Sequence, residues 1–315
     1  MANPVVKRRE STLGFHYFNL FQCCPRKFYF KYFKRFVPKY INRALIQGSA
    51  FHEGKAAFYL SRSKSLKTRE QVAIQTALKV LEESRGELED EETYKDIEFR
   101  VPNMLHYWIA EMGIADLSNY KVIAVEKQLT VPIQNTPYSM TVRQDAILQD
   151  KQNGLIYIFE TKTSGFSHRL TSEAVFFGDQ ATAYIWAARK GLGLDIFGVV
   201  PDITYWNKNS TALTNIQNIR GDIVTRSEYA LESFEKMTAQ ILTEINQKAQ
   251  AYKAGYDPWI LFPRNCYYCL SYSVKCDYSG ICYENCEKMK RPPVELKIDR
   301  SVRSIVKRIE DPIAI

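Results

Sequence analysis

Three β-rich runs joined by short polar turns constrain the fold of this chain more than any other feature of its sequence. They read KVIAVEKQLTVPI (121–133), YSMTVRQDAILQD (138–150) and GLIYIFETKT (154–163), with QNTP and KQN between them. Runs rich in β-branched and aromatic residues, separated by so few polar residues, predict antiparallel neighbouring strands. We therefore expect a sheet in the middle of the chain, covered by the flanking segments.

The flanking segments have the residue spacing of helices. Apolar residues three or four positions apart predict amphipathic helices. A further strand is expected near 196–207. This order predicts an α/β fold with a central mixed β-sheet flanked by helices. The predicted helices cover residues 11–36, 48–60, 68–85 and 98–112 before the three runs, and residues 173–190 and 226–254 after them.

A candidate catalytic site lies on two of the predicted strands. Asp145 belongs to the second run, and Glu160 and Lys162 belong to the third. Side chains alternate along a strand, so Glu160 and Lys162 share a face, and the hairpin can bring Asp145 beside them. Two carboxylates beside a lysine are suited to a magnesium ion that activates a water. A surface Glu-Lys pair at a strand end would give the same short pattern.

Three residues outside these strands support the catalytic interpretation. Gln180 and Tyr184 lie four positions apart in a predicted helix, so they share a face and can meet the strand ends. His52 lies in the small-residue stretch GSAFHEG, where its imidazole can act as a further metal ligand. A structural histidine at this position is the alternative.

Basic and aromatic residues are interleaved in the stretch CPRKFYFKYFKRFVPKY (24–40). The chain has a formal net charge of +8, which would attract a polyanion. Arg26, Lys27 and Lys31 are therefore candidates for contacts with DNA, in which charge holds phosphates and rings stack on bases. A helix that buries its aromatic face would explain the same stretch. The aromatic residues at helical spacing are Phe28, Tyr32 and Phe36.

Five of the seven cysteines lie within CYYCLSYSVKCDYSGICYENC (266–286). No secretory signal or apolar membrane-spanning run is recognised, so the expected location is the cytoplasm, where thiols stay reduced and clustered cysteines favour a metal. A zinc ion or an iron-sulfur cluster takes four cysteines, so the chain offers more thiols than it needs. Two sets of three compete, Cys266, Cys269 and Cys276 or Cys269, Cys276 and Cys282, with Cys23 or Cys24 as a source of the fourth ligand.

The order of these motifs resembles RecB-type nucleases of the PD-(D/E)XK superfamily, and especially iron-sulfur members found in phages and in CRISPR spacer acquisition. The resemblance extends over residues 11 to 286. It implies a restriction-endonuclease-like core with a helical N-terminal region and a cysteine-rich C-terminal segment. The matching motifs are Cys-Pro-Arg-Lys-Phe (24–28), His52, Asp145, Glu-x-Lys (160–162), Gln-x-x-x-Tyr (180–184) and the terminal cysteines.

The resemblance also implies the role of each matching residue. His52, Asp145 and Glu160 would bind Mg²⁺ or Mn²⁺, and Lys162 would serve the hydrolytic water. Gln180 and Tyr184 would contact the site or the DNA. One departure is local: relatives often have a glycine shortly before the aspartate, where this chain has TVRQD, and Arg143 and Gln144 are expected to alter the strand or contact phosphate. Glu126 matches an acidic position that precedes the strands in relatives.

For the cysteines, the resemblance favours Cys24, Cys269, Cys276 and Cys282 as ligands of a 4Fe-4S cluster, with Cys266 as the alternate ligand and Cys23 and Cys286 as spares. Zn²⁺ is the alternative metal. Such a site would join the two ends of the chain, because 245 positions separate residues 24 and 269.

The expected protein is a metal-dependent DNA nuclease, in particular an exonuclease that acts on single strands or duplex ends. Recombination or helicase proteins are candidate partners, and a phage-encoded chain would act in the host cytoplasm. The alternative is a non-catalytic DNA-binding or accessory subunit. The expected layout is a single nuclease domain over 1–290, made of helical 11–115, catalytic 120–207 and cluster-bearing 226–290, followed by a charged tail at 291–315.

Overall fold

A computed structural model describes residues 14–63, 65–165, 168–206, 215–271, 274–282 and 296–298. Its helices are α1 (Phe15–Cys23), α2 (Pro25–Tyr32), α3 (Arg43–Leu60), α4 (Leu66–Ser84), α5 (Glu91–Trp108), α6 (Ile114–Asn119), α7 (His168–Phe177), α8 (Asp179–Leu192), α9 (Glu228–Lys253) and α10 (Pro258–Leu261). Its strands are β1 (Phe36–Pro38), β2 (Tyr120–Pro132), β3 (Ser139–Asp150), β4 (Ile156–Ser164), β5 (Ile196–Trp206), β6 (Ile216–Arg220), β7 (Leu270–Ser271), β8 (Val274–Lys275) and β9 (Leu296–Ile298).

The central sheet has the strand order β2-β3-β4-β5-β6. Strand β4 pairs antiparallel with β3 and parallel with β5, and β5 pairs antiparallel with β6. The parallel pair requires a crossover, which α7 and α8 supply between β4 and β5. This mixed sheet with helices confirms the predicted α/β fold class.

Two of the predicted helices are interrupted where the backbone cannot continue. The helix expected over 11–36 breaks at Cys24, whose extended backbone (φ −158°, ψ 101°) precedes Pro25, because a residue before proline is disfavoured in the helical region. The helix expected over 173–190 divides into α7 and α8 at Gly178. A β-carbon at Gly178 would lie 2.7 Å from the carbonyl oxygen of Ala174, so this close junction requires glycine.

The chain divides into two compact units, each assembled from separate stretches. The unit formed by Tyr40–Leu129 and Arg143–Phe234 contains a large buried core. Its fully buried side chains include Phe51, Phe58 and Trp108. Whether the chain functions as a single nuclease domain stays a prediction.

The other unit combines Met1–Lys39, Thr130–Val142 and Glu235–Ile315. In this unit the aromatic face of α2 is buried, as an amphipathic helix predicts, and Tyr29 stacks on Phe262 with ring centroids 5.2 Å apart. Strand β9 pairs antiparallel with β1, with Ile298 opposite Phe36. Strand pairing therefore holds residues 296–298, while the rest of 291–315 lies outside the described residues, and its character as a charged tail stays a prediction.

None of the helices in the described ranges has the length and apolar character needed to cross a membrane.

Candidate active site

His52, Asp145 and Glu126 bring their metal-binding atoms together. His52 projects from α3, whose first turn is capped by the side chain of Asn42. The imidazole Nδ1 lies 3.1 Å from Asp145 Oδ1 and 3.9 Å from Glu126 Oε1. Ligand atoms of all three residues lie within 4.8 Å of one another, so they could hold a cation.

Asp145 is held in its ionised form by neighbouring groups. Burial alone would raise the pKa of its carboxyl group, but the His52 imidazole and the Lys162 ammonium bring that pKa down to about 2. The backbone N–H of Thr161 donates a hydrogen bond to Asp145 Oδ2 at 2.8 Å, which also favours the charged form. A permanently charged, oriented carboxylate suits metal binding.

Glu160 lies on the adjacent strand, and its side chain is almost fully buried. Its Oε1 forms an ion pair with Lys162. Its Oε2 is buried and accepts no hydrogen bond from the described part of the chain. Burial raises the pKa of Glu160, and the charge of Asp145 raises it further, against the effect of Lys162. A buried carboxylate oxygen without a hydrogen-bond donor fits a site built for a cation.

Lys162, Gln180 and Tyr184 form a chain of hydrogen bonds beside these carboxylates. Lys162 Nζ donates to Gln180 Oε1 at 3.0 Å, and Gln180 Nε2 donates to the Tyr184 hydroxyl at 2.9 Å. Burial raises the pKa of Tyr184 well above its ordinary value, and the charges of Glu160 and Asp145 add to this effect. The phenol therefore keeps its proton and can donate it in a hydrogen bond.

The structure brings all six residues of the predicted site together, although they come from α3, β3, β4 and α8. The shared face of Glu160 and Lys162 agrees with their alternation along β4. The spacing of four between Gln180 and Tyr184 places both side chains toward the strand ends, as predicted for one helix face.

The two residues before Asp145 take positions that the sequence alone did not reveal. Arg143 forms ion pairs with Glu126 and, at 2.8 Å, with Glu53, the residue after His52. Gln144 is buried, and its Nε2 donates to the backbone oxygen of Tyr184 at 2.7 Å. The available signal was an arginine shortly before Asp145, where relatives often have a glycine. The partners of this arginine lie 17 and 90 positions away in the chain, so the sequence does not identify them.

A buried ion pair underlies the site and was not anticipated. Lys55 Nζ lies 2.6 Å from Asp202 Oδ2 and donates to Thr161 Oγ1 at 2.7 Å. The Nε1 of Trp108 also donates to Asp202 Oδ2, at 3.1 Å. Thr161 stands between Glu160 and Lys162 and orients Asp145, so this pair supports the residues of the site. The spacing of three between His52 and Lys55, which puts them on neighbouring faces of α3, was the only local signal.

The basic residues near the N-terminus have different environments. Arg26 is buried, donates to the backbone oxygens of Phe262 (2.7 Å) and Trp259 (2.8 Å), and stacks 3.6 Å from the centre of the Trp259 ring. Its guanidinium is thus engaged within its own unit. Lys27 lies 3.9 Å from Asp277, and Lys31 lies 5.6 Å from the Tyr32 ring centre. Arg26 is therefore occupied by these contacts, and a DNA contact of Lys27 or Lys31 stays a prediction.

Four cysteines line one cavity of about 290 Å³. They are the four predicted ligands, Cys24, Cys269, Cys276 and Cys282. Cys266 is exposed and Cys23 is not among the lining residues, and Cys286 lies outside the described residues. Burial raises the pKa of the Cys276 and Cys282 thiols, so a bound cation would be needed to keep them as thiolates.

The thiols around this cavity are spread apart. Within the described ranges, no three of them lie within 4.8 Å of one another. Tetrahedral zinc with bonds of about 2.3 Å would require sulfur atoms roughly 3.8 Å apart. The described thiols do not have that spacing as they stand.

A model of the PD-(D/E)XK nuclease superfamily matches residues 15–283 of the chain. A comparison with curated proteins finds no match. Among solved structures, the chain is similar to an alkaline exonuclease, LHK-Exo, from Laribacter hongkongensis, with 13% identity over 67% of this chain and 96% of that one and a TM-score of 0.29. The same enzyme in complex with dAMP gives 14% identity, the same coverage and a TM-score of 0.29. SSO0001 gives 15% identity over 61% of this chain and 85% of that chain, with a TM-score of 0.27. Similarities this weak assign no substrate and no polarity to this chain.

Proposed function

This chain belongs to the PD-(D/E)XK nuclease superfamily, and from that membership we propose that it is a metal-dependent deoxyribonuclease that acts as an exonuclease on single strands or duplex ends. The observation that carries the proposal is the grouping of His52, Asp145 and Glu126, with the ion pair of Glu160 and Lys162 on the adjacent strand. His52 Nδ1 lies 3.1 Å from Asp145, and Lys162 pairs with Glu160 on the adjacent strand. Their chemistry fits phosphodiester hydrolysis.

His52, Asp145 and Glu160 would hold Mg²⁺ or Mn²⁺, with Glu126 as a further carboxylate within reach. The ligand set fits such a cation, because Asp145 is ionised and the Oε2 of Glu160 is buried without a hydrogen-bond donor in the described residues. When bound, the cation supplies positive charge that polarises the scissile phosphate and lowers the pKa of the attacking water.

The protein's own residues orient the reaction. Gln180 and Glu160 hold the Lys162 ammonium in place, so that it can position the water and stabilise charge developing on the phosphate. The Tyr184 hydroxyl keeps its proton and is proposed to donate a hydrogen bond to a phosphate oxygen of the DNA. The water oxygen bonds to phosphorus and its proton passes to solvent, the bond from phosphorus to the leaving oxygen breaks, and that oxygen takes a proton from solvent.

We also propose that Cys24, Cys269, Cys276 and Cys282 hold a 4Fe-4S cluster with a structural role. The cavity of about 290 Å³ that these four thiols line supports this choice of ligands, and their spread favours the cluster over zinc. The cluster would secure the segments that carry its cysteines.

A cleavage assay tests the catalytic proposal. End-labelled single-stranded and duplex DNA is incubated with the full-length protein and Mg²⁺ or Mn²⁺. We expect progressive shortening by the wild type, and a loss of at least about 100-fold in Asp145→Ala and Lys162→Ala. Asp195→Ala, which removes an exposed carboxylate, is the matched control and keeps wild-type activity. A wild type that cleaves no DNA with either metal would refute the proposal and favour a non-catalytic DNA-binding role.

A further inference from the structure

Two adjacent phenylalanine side chains project into solvent from the last turn of α7. Phe176 is 48% exposed and Phe177 is 79% exposed. Their rings pack edge to face, with centroids 5.1 Å apart. Leu170, also exposed, lies seven positions before Phe177 and therefore on the same helix face. Single exposed apolar residues are ordinary, but a group of them on one face marks a surface that binds something.

This aromatic pair is fixed close to the candidate active site. Thr171 Oγ1 donates to Ser164 Oγ at 2.9 Å, which ties α7 to the end of β4, the strand that carries Glu160 and Lys162. Phe177 precedes Gln180 by three positions, and Gln180 accepts the hydrogen bond from Lys162. Three residues span at most roughly 11 Å of backbone. That reach corresponds to about three nucleotides at about 3.4 Å per nucleotide along a duplex strand.

A cation accompanies the two rings. Arg226 Nη2 donates to the backbone oxygen of Phe176 at 2.5 Å, and its Nε donates to Thr182 Oγ1 at 2.8 Å. The centre of the guanidinium lies 5.9 Å from the centre of the Phe176 ring. Arg226, in the segment between β6 and α9, therefore presents an oriented positive charge beside the aromatic faces, which suits a ligand with flat rings linked by negative charges.

We propose that Phe176, Phe177 and Arg226 form a nucleobase-stacking site for the DNA strand whose phosphodiester lies at the active site. The proposal rests on the nuclease function proposed above and adds a binding element to it. Unpaired bases expose flat faces that stack on aromatic rings whatever the sequence, and arginine adds attraction for the backbone. The substrate end would then be single-stranded, or opened to that state, within about three nucleotides of the cut.

Fluorescent oligonucleotides test the stacking site in the full-length protein. Single-stranded DNA with 2-aminopurine at each of the three terminal positions is titrated with wild type, Phe177→Ala and Phe197→Ala. Phe197 is the matched control, since it is 44% exposed at the start of β5. We expect Phe177→Ala to weaken binding by about fivefold or more and to lose the quenching of 2-aminopurine, whereas Phe197→Ala behaves like the wild type.

An abasic oligonucleotide separates stacking from general loss of structure. With abasic terminal positions, the wild type is expected to bind as weakly as Phe177→Ala binds the normal strand. Equal binding and quenching by wild type and Phe177→Ala would overturn the proposal. A change of oligomeric state in Phe177→Ala, measured by light scattering, would also overturn it, because the rings would then cover a second copy.

The proposals of a stacking site and of a nuclease function can be refuted independently. Wild-type cleavage of bis(p-nitrophenyl) phosphate, a diester without bases, reports on catalysis alone. Wild-type activity on this diester and on DNA, together with unchanged DNA binding in Phe177→Ala, would remove only the stacking site. Inactivity of the wild type on both substrates would remove the nuclease function.

Discussion

Glu126 has a backbone conformation that its strand does not require. It lies within β2 with φ at 48°, a left-handed value that is unfavourable for a residue with a side chain. Before Glu126 the more buried residues of β2 have even numbers, and from Leu129 onward they have odd numbers. The alternation therefore shifts at this residue, as it does at a β-bulge. At this position of the shift, the Glu126 carboxylate lies beside His52 and Arg143.

Two substitutions of Glu126 separate the backbone strain from the carboxylate. Both Glu126→Gly and Glu126→Ala remove the carboxylate, but only glycine adopts a positive φ without cost. We expect the glycine variant to have a free energy of unfolding about 1 kcal/mol higher than the alanine variant. Urea denaturation measures this difference. Equal stabilities would show that the left-handed conformation stores no strain.

Glu126→Gly and Glu126→Ala should both lose DNA cleavage activity. If the carboxylate contributes to the site, both variants cleave DNA more slowly than the wild type, whatever their stability. Asn135→Gly is the control. Asn135 is a turn residue with a left-handed φ of 62° that is not part of the candidate site, so replacing it with glycine should leave cleavage unchanged.

Arg143 would compete with a bound metal ion for Glu126. Its guanidinium pairs with Glu126 and Glu53 beside the cation site, and like charges a few ångströms apart repel by about 1–4 kcal/mol. We expect Arg143→Gln to bind Mn²⁺ at least about fivefold more tightly. Paramagnetic resonance of free Mn²⁺ measures the affinity without substrate. Arg169→Gln removes an exposed arginine paired with Glu173 and should change nothing; unchanged affinity in Arg143→Gln would contradict the competition.

At the scale of elements, one buried ion pair connects α3, α5, β4 and β5. Lys55 is 4% exposed and Asp202 is fully buried. In the parallel pairing of β4 with β5, Asp202 lies opposite Thr161, so Lys55 contacts both strands at one level. Helix α3 also carries His52. The pair therefore fixes the helix that carries His52 against the strand that carries Glu160.

Removing only one member of this ion pair should lower the free energy of unfolding substantially. Lys55→Met leaves the Asp202 carboxylate buried without its main partner, and we expect a loss of about 3–5 kcal/mol in the free energy of unfolding. Arg43→Met is the control, since it breaks the more exposed pair with Asp96 and should lose no more than about 1 kcal/mol. Denaturant titration measures both. A small loss in Lys55→Met would show that Arg220 alone satisfies Asp202.

The effect of Lys55→Met should depend on pH. Burial opposes ionisation, but Lys55 and Arg220 hold the pKa of Asp202 below its ordinary value in the fold. A lowered pKa contributes stability that is present above the unfolded pKa of about 3.9 and is lost as pH falls through the folded pKa. We therefore expect the stability difference between wild type and Lys55→Met to shrink below about pH 4. A stability difference that stays constant as the pH falls below about 4 would contradict this assignment.

At the scale of the whole molecule, distant parts of the chain are joined within one compact unit. The unit takes in both ends of the sequence, Met1–Lys39 and Glu235–Ile315. Arg26 donates to the backbone of Phe262, and the Tyr278 hydroxyl donates to the backbone oxygen of Phe36 at 2.6 Å. A cluster bound to Cys24 and Cys269 would close a loop of 245 positions. By analogy with a covalent crosslink, that constraint is worth several kcal/mol.

Neighbouring cysteines provide matched tests of the cluster. We expect Cys24→Ser and Cys282→Ser to lose bound iron and to unfold at a lower temperature, because each lines the cavity. Cys23→Ser and Cys266→Ser should keep both. Iron, sulfide and zinc analysis after anaerobic purification, with thermal denaturation, measures the outcome. Stoichiometric zinc without iron would replace the cluster with a zinc ion, and equal metal content in all four variants would exclude these ligands.

The sequence by itself determined the order of the elements and most of the candidate site. The alternation along β4 predicted that Glu160 and Lys162 share a face, and helical spacing predicted the same for Gln180 and Tyr184. These patterns are local, since they depend on the repeat of a strand or a helix, and any chain with that repeat shows them. Asp145 was chosen from its place on the neighbouring run and His52 from the small-residue stretch around it, and the resemblance then assigned both to the metal.

Only the tertiary structure decided which residues support the candidate site and whether a residue such as Arg26 packs within the protein. Lys55 and Asp202 are 147 positions apart, and Arg143 and Glu53 are 90 apart, so no local pattern pairs them. From the sequence, Arg26 could equally well contact DNA or pack within the protein. The fold buries it against Trp259. The left-handed φ of Glu126 likewise depends on contacts across strands and helices. Pairing between distant residues is set by the free energy of the whole packed chain, and a sequence repeat does not encode it.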